Sequence, residues 1–170
     1  MRRYPRLARL PFSSIRKASM LSKRRGKSSR RRALGLEIHV FNVAHERDFD
    51  ATFVALTTEK NGALVVGSDP LLTSQRGYLV TLAARYSMPA IYPFREFAAV
   101  GGLISFGASI SDAFRQTGIY VGRILKGEKT TELPVQLPSK FEFVINLKTA
   151  NTLGVTFPIT LLGRADEVIE

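Results

Sequence analysis

Short apolar runs alternate along the chain with segments in which apolar residues recur every three or four positions. The apolar runs, each of which predicts a β-strand, lie at residues 36–41, 63–66, 89–92 and 103–106. The periodic segments, which predict helices, lie at 49–60 with Asp48 as cap, at 74–87 from Ser74, and at 94–99. The run at 63–66 is apolar throughout, so we expect it to be covered on both faces. Because a helix follows each strand, the pattern predicts an α/β fold with a parallel sheet and right-handed crossovers.

The C-terminal part of the chain contains a longer amphipathic helix, which we expect Ser111 to cap and Gly127 to end. The residues that share its apolar face are Phe114, Gly118, Val121 and Leu125. A loop that contains two prolines leads to a predicted strand at 141–146. A final helix is predicted from Pro158 to Val168.

Residue types that suit ligand binding follow three of the predicted strands. Ligands of open parallel sheets bind beyond the carboxyl ends of the strands, where loops and helix N-termini meet. The candidate ligand-binding residues there are Ser68, Asp69, Phe94, Arg95, Glu96, Phe106 and Gly107. Arg95 can pair with a ligand carboxylate, Asp69 or Glu96 can accept from an ammonium group, and the phenylalanines can stack on an apolar group.

Each candidate residue also has an ordinary structural explanation. Asp69 before Pro70 is typical of a turn, and Arg95 and Glu96 are expected in a solvated ion pair. Core packing alone accounts for a phenylalanine such as Phe106. The convergence of three loops at one edge favours a binding site over any single residue taken alone.

The net charge of +11 is concentrated at the start of the chain. Residues 1–32 hold 13 of the 25 Lys and Arg and no acid, whereas residues 33–170 hold 12 Lys and Arg and 14 acids, a net charge of −2. A basic, Ser-rich segment with little apolar periodicity predicts disorder. It lacks the apolar stretch of a secretion signal, and its composition resembles an organellar transit peptide or a basic arm that binds RNA. We favour a disordered leader foreign to the fold.

The sequence contains no complete catalytic or metal-binding pattern. The chain has no cysteine, and its two histidines, His39 and His45, lie six residues apart without a further metal-ligand pattern. Gly107 to Ser111 misses the last glycine of a nucleophile elbow. The weakly polar stretch at 97–110 is too short to span a bilayer. We therefore expect no catalytic residue, metal, cofactor or membrane span, and a protein that is not an enzyme.

Residues 33–170 resemble the C-terminal half of the ABC transporter substrate-binding family that includes tryptophan- and tyrosine-type binding proteins. The segments that carry the resemblance are Ser68-Asp69-Pro70, residues 90–97, Gly101-Gly102-Leu103, residues 122–129, residues 141–149 and the tail at 161–169. The resemblance implies a type I periplasmic binding protein, in which two Rossmann-like lobes close on a small amphipathic solute such as an amino acid and an ABC permease recognises the closed state.

The resemblance also implies a division of the chain. Residues 1–32 are expected to be the leader, 33–110 an incomplete second ligand-binding lobe, and 111–170 a segment that returns to the first lobe. We expect a chain truncated at its N-terminus, without the first strand and helix of the second lobe. The family implies a periplasmic location, whereas the missing secretion signal favours the cytoplasm. The alternative function is a nucleic-acid-binding α/β protein with a basic arm.

Overall fold

The computed structural model describes residues 17–22, 29–33, 36–58 and 62–170. The strands in this part of the chain are β1 (Lys17–Ser22), β2 (Ser29–Ala33), β3 (Leu36–Asn42), β4 (Ala63–Val66), β5 (Ala90–Tyr92), β6 (Ile104–Ala108), β7 (Phe141–Asn146) and β8 (Glu167–Ile169). The helices are α1 (Asp48–Thr58), α2 (Pro70–Ser74), α3 (Arg76–Arg85), α4 (Arg95–Ala99), α5 (Ile110–Leu125), α6 (Leu147–Leu153) and α7 (Ile159–Leu162). The α/β fold class predicted from the sequence is confirmed.

The described strands form one sheet in the order β2-β3-β1-β4-β5-β6-β7-β8. Neighbouring strands from β3 to β6 run parallel, whereas β2 is antiparallel to β3 and β7 is antiparallel to β6. The carboxyl ends of β4, β5 and β6 therefore lie side by side, at what we call the carboxyl edge of the sheet.

The main core lies on one face of the sheet, under α1, α3 and α4. Its fully buried side chains include Phe49, Phe53, Leu64, Leu82 and Phe97. The rings of Tyr92 and Phe97 stack there with centroids 4.9 Å apart, and burial of the phenol raises the pKa of Tyr92. This face anchors α4, whose N-terminus meets the carboxyl edge.

The opposite face is covered less completely. A smaller cluster, which includes Ile104 and Ala150, packs under α6 with Phe143 and Phe157. Val65 of β4 is 40% exposed between the buried Leu64 and Val66. The prediction that residues 63–66 are covered on both faces is therefore wrong, because α1, α3 and α4 all pack on the face that Leu64 and Val66 occupy.

Three predicted helix boundaries are wrong. Asp48 is the first residue of α1, and its carboxylate accepts hydrogen bonds from the backbone N–H groups of Ala44 and His45 (3.0 and 2.8 Å), so it closes the preceding turn. The helix predicted from Ser74 begins at Pro70 as α2 and continues as α3. The C-terminal helix ends at Leu162, and residues 167–169 pair with β7 as strand β8.

Residues 17–22 and 29–32, which belong to the predicted disordered leader, form strands in the structure. Strand β1 lies between β3 and β4 and pairs with both, in the place where we expected a first strand to be absent. Strand β2 pairs with β3. A central strand forms two ladders, and these backbone hydrogen bonds are compatible with a basic composition. The rest of the leader lies outside the described residues, and a domain boundary near residue 32 stays a prediction.

Residues 109–140 leave the sheet and return to it at one point. Ala108 and Phe141 are paired neighbours in β6 and β7, and the Ser109 N–H donates to the Lys140 carbonyl at 2.9 Å. We call this point the neck. Strand β7 lies in the same sheet as β6. The expected division at residue 110 stays a prediction.

Candidate functional site

The three loops predicted to bind a ligand lie side by side at the carboxyl edge. The first two loops follow β4 and β5, whereas Phe106 and Gly107 lie in the last residues of β6, which extends two residues beyond its predicted end. These three strands are neighbours in the sheet. The structure therefore places all seven candidate residues at or next to one edge. Their surroundings differ.

Asp69 has a structural role at the N-terminus of α2. Its Oδ1 accepts a hydrogen bond from the Leu71 N–H at 2.8 Å, in extended backbone geometry that is typical of a helix cap. Pro70 occupies the first turn, where its missing N–H costs nothing. The carboxylate is therefore partly committed to the helix, whereas the neighbouring Ser68 is exposed to solvent.

Arg95 forms an ion pair with Glu167 of β8, and both side chains are close to half exposed. The hydrogen bond and charge of Glu167 raise the pKa of the Arg95 guanidinium, and the nearby carboxylates of Glu142 and Glu96 add to this effect. The ion pair with Glu96, which was the ordinary structural explanation for Arg95, is replaced by this pair with Glu167. The C-terminal strand, which was predicted to be helical, supplies the partner.

Glu96 has an unusual environment next to this pair. Its Oε2 atom is buried, and no described residue donates a hydrogen bond to it. An acceptor left buried without a donor is costly, and such atoms are uncommon in folded proteins. The first turn of α4, where Glu96 lies, favours a negative charge. Among the side-chain oxygens of the candidate residues, this is the one that is buried without a hydrogen-bond donor in the described part of the chain.

The aromatic candidates lie in different places. Phe94 is partly buried against the main core. Phe106 is 56% exposed and contacts Phe141 and Phe143, with both ring centroids 6.1 Å away. Phe143 belongs to the cluster under α6, so Phe106 projects from that face of the sheet.

Position 107 of β6 faces the other side of the sheet. A Cβ atom on Gly107 would lie 1.9 Å from the Pro93 carbonyl oxygen, so only glycine fits beside this loop. Glu142, its partner in β7, shares that face and lies near Arg95. Because successive side chains of a strand point to opposite faces, the structure does not bring Phe106 together with Arg95.

Sequence reasoning missed a group of polar residues at the neck. The Ser109 hydroxyl donates to Glu142 Oε1 at 3.0 Å, and Lys140 Nζ lies 3.5 Å from the same oxygen. Ser109, not Ser111, caps α5 by accepting from the Asp112 N–H. The sequence signal was present, because a serine three residues before an acid is typical of a helix start.

A groove of about 270 Å³ runs along α5 next to the neck. Its lining includes Asp112, Gln116 and Tyr120 of α5 and Gln136 and Leu137 of the returning loop. The Tyr120 hydroxyl donates to the Pro134 carbonyl at 2.5 Å and holds this loop against the helix.

A comparison with family models identifies the family. The model of the ABC transporter substrate binding proteins matches residues 11–169. The chain belongs to this family. The match extends well into the segment predicted to be a foreign leader. The description of this family supports a role in solute binding.

Three solved structures are similar to this chain in fold. A conserved domain protein from Vibrio cholerae has a TM-score of 0.77 at 19% identity, over 92% of this chain and 56% of that one. An ABC domain from Streptococcus pneumoniae in complex with L-Trp has a TM-score of 0.77 at 24% identity, over 93% and 58%. A ligand-free, open substrate binding protein with adhesive properties from Clostridium difficile has a TM-score of 0.60 at 16% identity, over 92% and 55%.

These similarities establish the fold, that of a lobe of periplasmic binding proteins. The chain spans less than three fifths of the length of each of these structures. A search of curated proteins finds no match. Among the described helices none has the length and apolar character needed to cross a membrane. Within the described ranges, no cluster of three His, Asp or Glu side chains is placed to hold a metal ion.

Proposed function

We propose that the chain binds a small amphipathic solute, such as an amino acid, at the carboxyl edge and serves an ABC import system. The observation that carries the proposal is the buried Glu96 Oε2, which has no hydrogen-bond donor among the described residues. A ligand ammonium group would satisfy this oxygen with a charge-assisted hydrogen bond. Membership of a substrate-binding family supports the same role.

Arg95 complements Glu96 on the adjacent residue. A guanidinium and a carboxylate side by side match the carboxylate and ammonium of an amino acid. The Arg95 guanidinium is paired with the Glu167 carboxylate, so a ligand carboxylate has to compete with Glu167. Because both partners are close to half exposed, the ion pair contributes less than about 1 kcal/mol and such competition is feasible.

The neck supports the transport part of the proposal. Residues 109–140 join the sheet through two adjacent chain segments, and Ser109, Lys140 and Glu142 link these segments. Such a double connection allows a hinge motion while the register of β6 and β7 is kept. Closure about the neck over the carboxyl edge would give an ABC permease a ligand-dependent shape to recognise.

Isothermal titration calorimetry of the chain with L-tryptophan, the ligand of the Streptococcus neighbour, tests the proposal. We expect saturable binding that Glu96→Gln and Arg95→Ala each weaken by about 1–3 kcal/mol. Glu167→Gln should strengthen binding, because it removes the internal competitor. Arg85→Ala is the matched control, since Arg85 is exposed at the far end of α3.

Two results would contradict the proposal. One is the absence of saturable heat with L-tryptophan and with a panel of the other natural amino acids. The other is binding that Glu96→Gln and Arg95→Ala leave as tight as in the unaltered chain, which would place the site elsewhere. Thermal unfolding of each variant without ligand provides the folding control.

A further inference from the structure

The Arg95 guanidinium lies among several carboxylates at the carboxyl edge. It pairs with Glu167, and the carboxylates of Glu142 and Glu96 are close enough to raise the pKa of the guanidinium further. Arg95 therefore has a partner within the chain and other negative charges beside it. A carboxylate that a ligand brings to this guanidinium meets like charges in the same place.

Strand register brings two of these carboxylates to one face of the sheet. Val144, two residues after Glu142 in β7, is the register partner of Glu167 in β8. Side chains two residues apart on a strand share a face, so Glu142 and Glu167 project to the same side. Helix α4, whose first turn carries Arg95 and Glu96, contacts β6 and β7. The negative charges are therefore gathered by the fold itself.

Negative charge exceeds positive charge among the described residues of this edge. Arg95 offsets the charge of Glu167, and Lys140 Nζ lies 3.5 Å from Glu142 Oε1 and offsets that of Glu142. Glu96 forms no ion pair within the described ranges, and its buried Oε2 accepts no hydrogen bond there. One further cation would balance these three carboxylates.

Two aspartates add to the excess. Asp69 accepts a hydrogen bond from the Leu71 N–H and Asp166 accepts one from the Phe143 N–H, each at 2.8 Å. A backbone N–H group carries no net charge, so neither carboxylate is neutralised by its donor. We propose, on the basis of the solute-binding function proposed above, that the carboxyl edge selects solutes of net positive charge over zwitterions and that Glu167 sets this preference.

The Arg95–Glu167 pair explains the preference. A solute with an ammonium group and no carboxylate can donate to Glu96 while the pair stays intact. A zwitterion that uses Arg95 has to displace Glu167, whose carboxylate is then left without its partner. An ion pair between half-exposed side chains changes affinity by up to about fivefold, so Glu167 can shift the selectivity without preventing the binding of an amino acid.

Three ligands that share the indole group test the selectivity. L-Tryptophanamide carries a charge of +1, L-tryptophan is a zwitterion, and N-acetyl-L-tryptophan carries a charge of −1. Calorimetry at pH 6 keeps the amino groups protonated, because an α-amino group has a pKa of about 8. The amide should bind about fivefold more tightly than L-tryptophan, and the acetylated compound should give no saturable heat.

The Glu167→Gln variant tests the role of Glu167. It should bind L-tryptophan several-fold more tightly, because Arg95 is released, and bind the amide more weakly, because a negative charge is lost. The ratio of the two dissociation constants should therefore fall towards one. A loss of folded protein cannot produce these opposite changes. Glu170→Gln is the matched control, because Glu170 is exposed and follows the other end of β8, about 10 Å away.

Two results would overturn this proposal alone. One is L-tryptophan binding as tightly as the amide or more tightly, and the other is a ratio that Glu167→Gln leaves unchanged. Absence of saturable heat with the amide and with L-tryptophan would contradict solute binding at this edge as well. Failure of the selectivity and failure of the proposed function are therefore distinguishable in one set of titrations.

Discussion

The region around α4 and the region around α5 have similar sequence patterns but differ in how deeply their helices are buried. In both, an amphipathic helix follows a strand of the parallel sheet. Helix α4 buries Phe97 completely against Tyr92, whereas α5 buries none of its sixteen residues. Periodicity shows that a helix has an apolar face, but it does not show which surface covers that face. The partner of α4 lies in the sheet, and α5 projects from the neck.

The largest expected effect comes from truncating one phenylalanine in each region. Phe97→Ala should lower the free energy of unfolding by about 3–5 kcal/mol, because it leaves a cavity in the main core. Phe114→Ala should change it by less than about 0.5 kcal/mol at concentrations where the chain is monomeric, because Phe114 is 73% exposed. Urea denaturation of both variants measures the difference. Similar losses in both would mean that α5 is packed as firmly as α4.

Substitution of two glycines by alanine should change the stability of the chain in opposite directions. Gly107→Ala should destabilise the chain by more than about 1 kcal/mol, since the added Cβ would clash with the Pro93 carbonyl. Gly118→Ala should stabilise α5 by up to about 1 kcal/mol, because alanine is the better helix former and the site is open. Thermal unfolding at low concentration compares the two. A neutral Gly107→Ala would show that the loop at Pro93 moves away easily.

The smallest effect concerns acid stability at the start of α1. Hydrogen bonds from the backbone N–H groups of His45 and Ala44 lower the pKa of Asp48 below its ordinary value of 3.8. A lowered pKa adds stability that is present above pH 3.8 and is lost as the pH falls through the folded value. Asp48→Asn should therefore be less stable than the unaltered chain at pH 7 and nearly equal to it at pH 2. A difference that is unchanged at pH 2 would contradict this cause.

The alternation of strands and helices was predictable because each buried strand is short and apolar and each helix has a 3.6-residue period. The run Ala63–Val66 and the helix around Phe53 were placed almost to the residue. Tertiary context was not predictable. Residues 17–22 of the basic leader lie in a central strand, and the C-terminal segment forms β8, because pairing with neighbouring strands outweighs local composition.

The sequence predicts that the candidate residues lie at one edge of the sheet, but it does not predict how they are arranged there. The structure places Asp69 and Arg95 just after the neighbouring strands β4 and β5, whereas Phe106 lies within β6. The face on which Phe106 projects depends on the register of β6, and the partner of Arg95 is 72 residues away. A local sequence pattern shows neither the register of a strand nor a partner that is distant in the sequence. The cap at Ser109 was within reach, because its spacing to Asp112 is a local signal.

Hydrogen exchange with and without L-tryptophan tests whether the carboxyl edge binds the solute. Bound ligand should slow exchange in residues 67–70, 93–97 and 107–110, at the three loops of the edge. The amides of the buried strand β4 should be unchanged. Protection confined to residues 114–125, or the same exchange at all sites in a sample saturated with ligand, would contradict the claim.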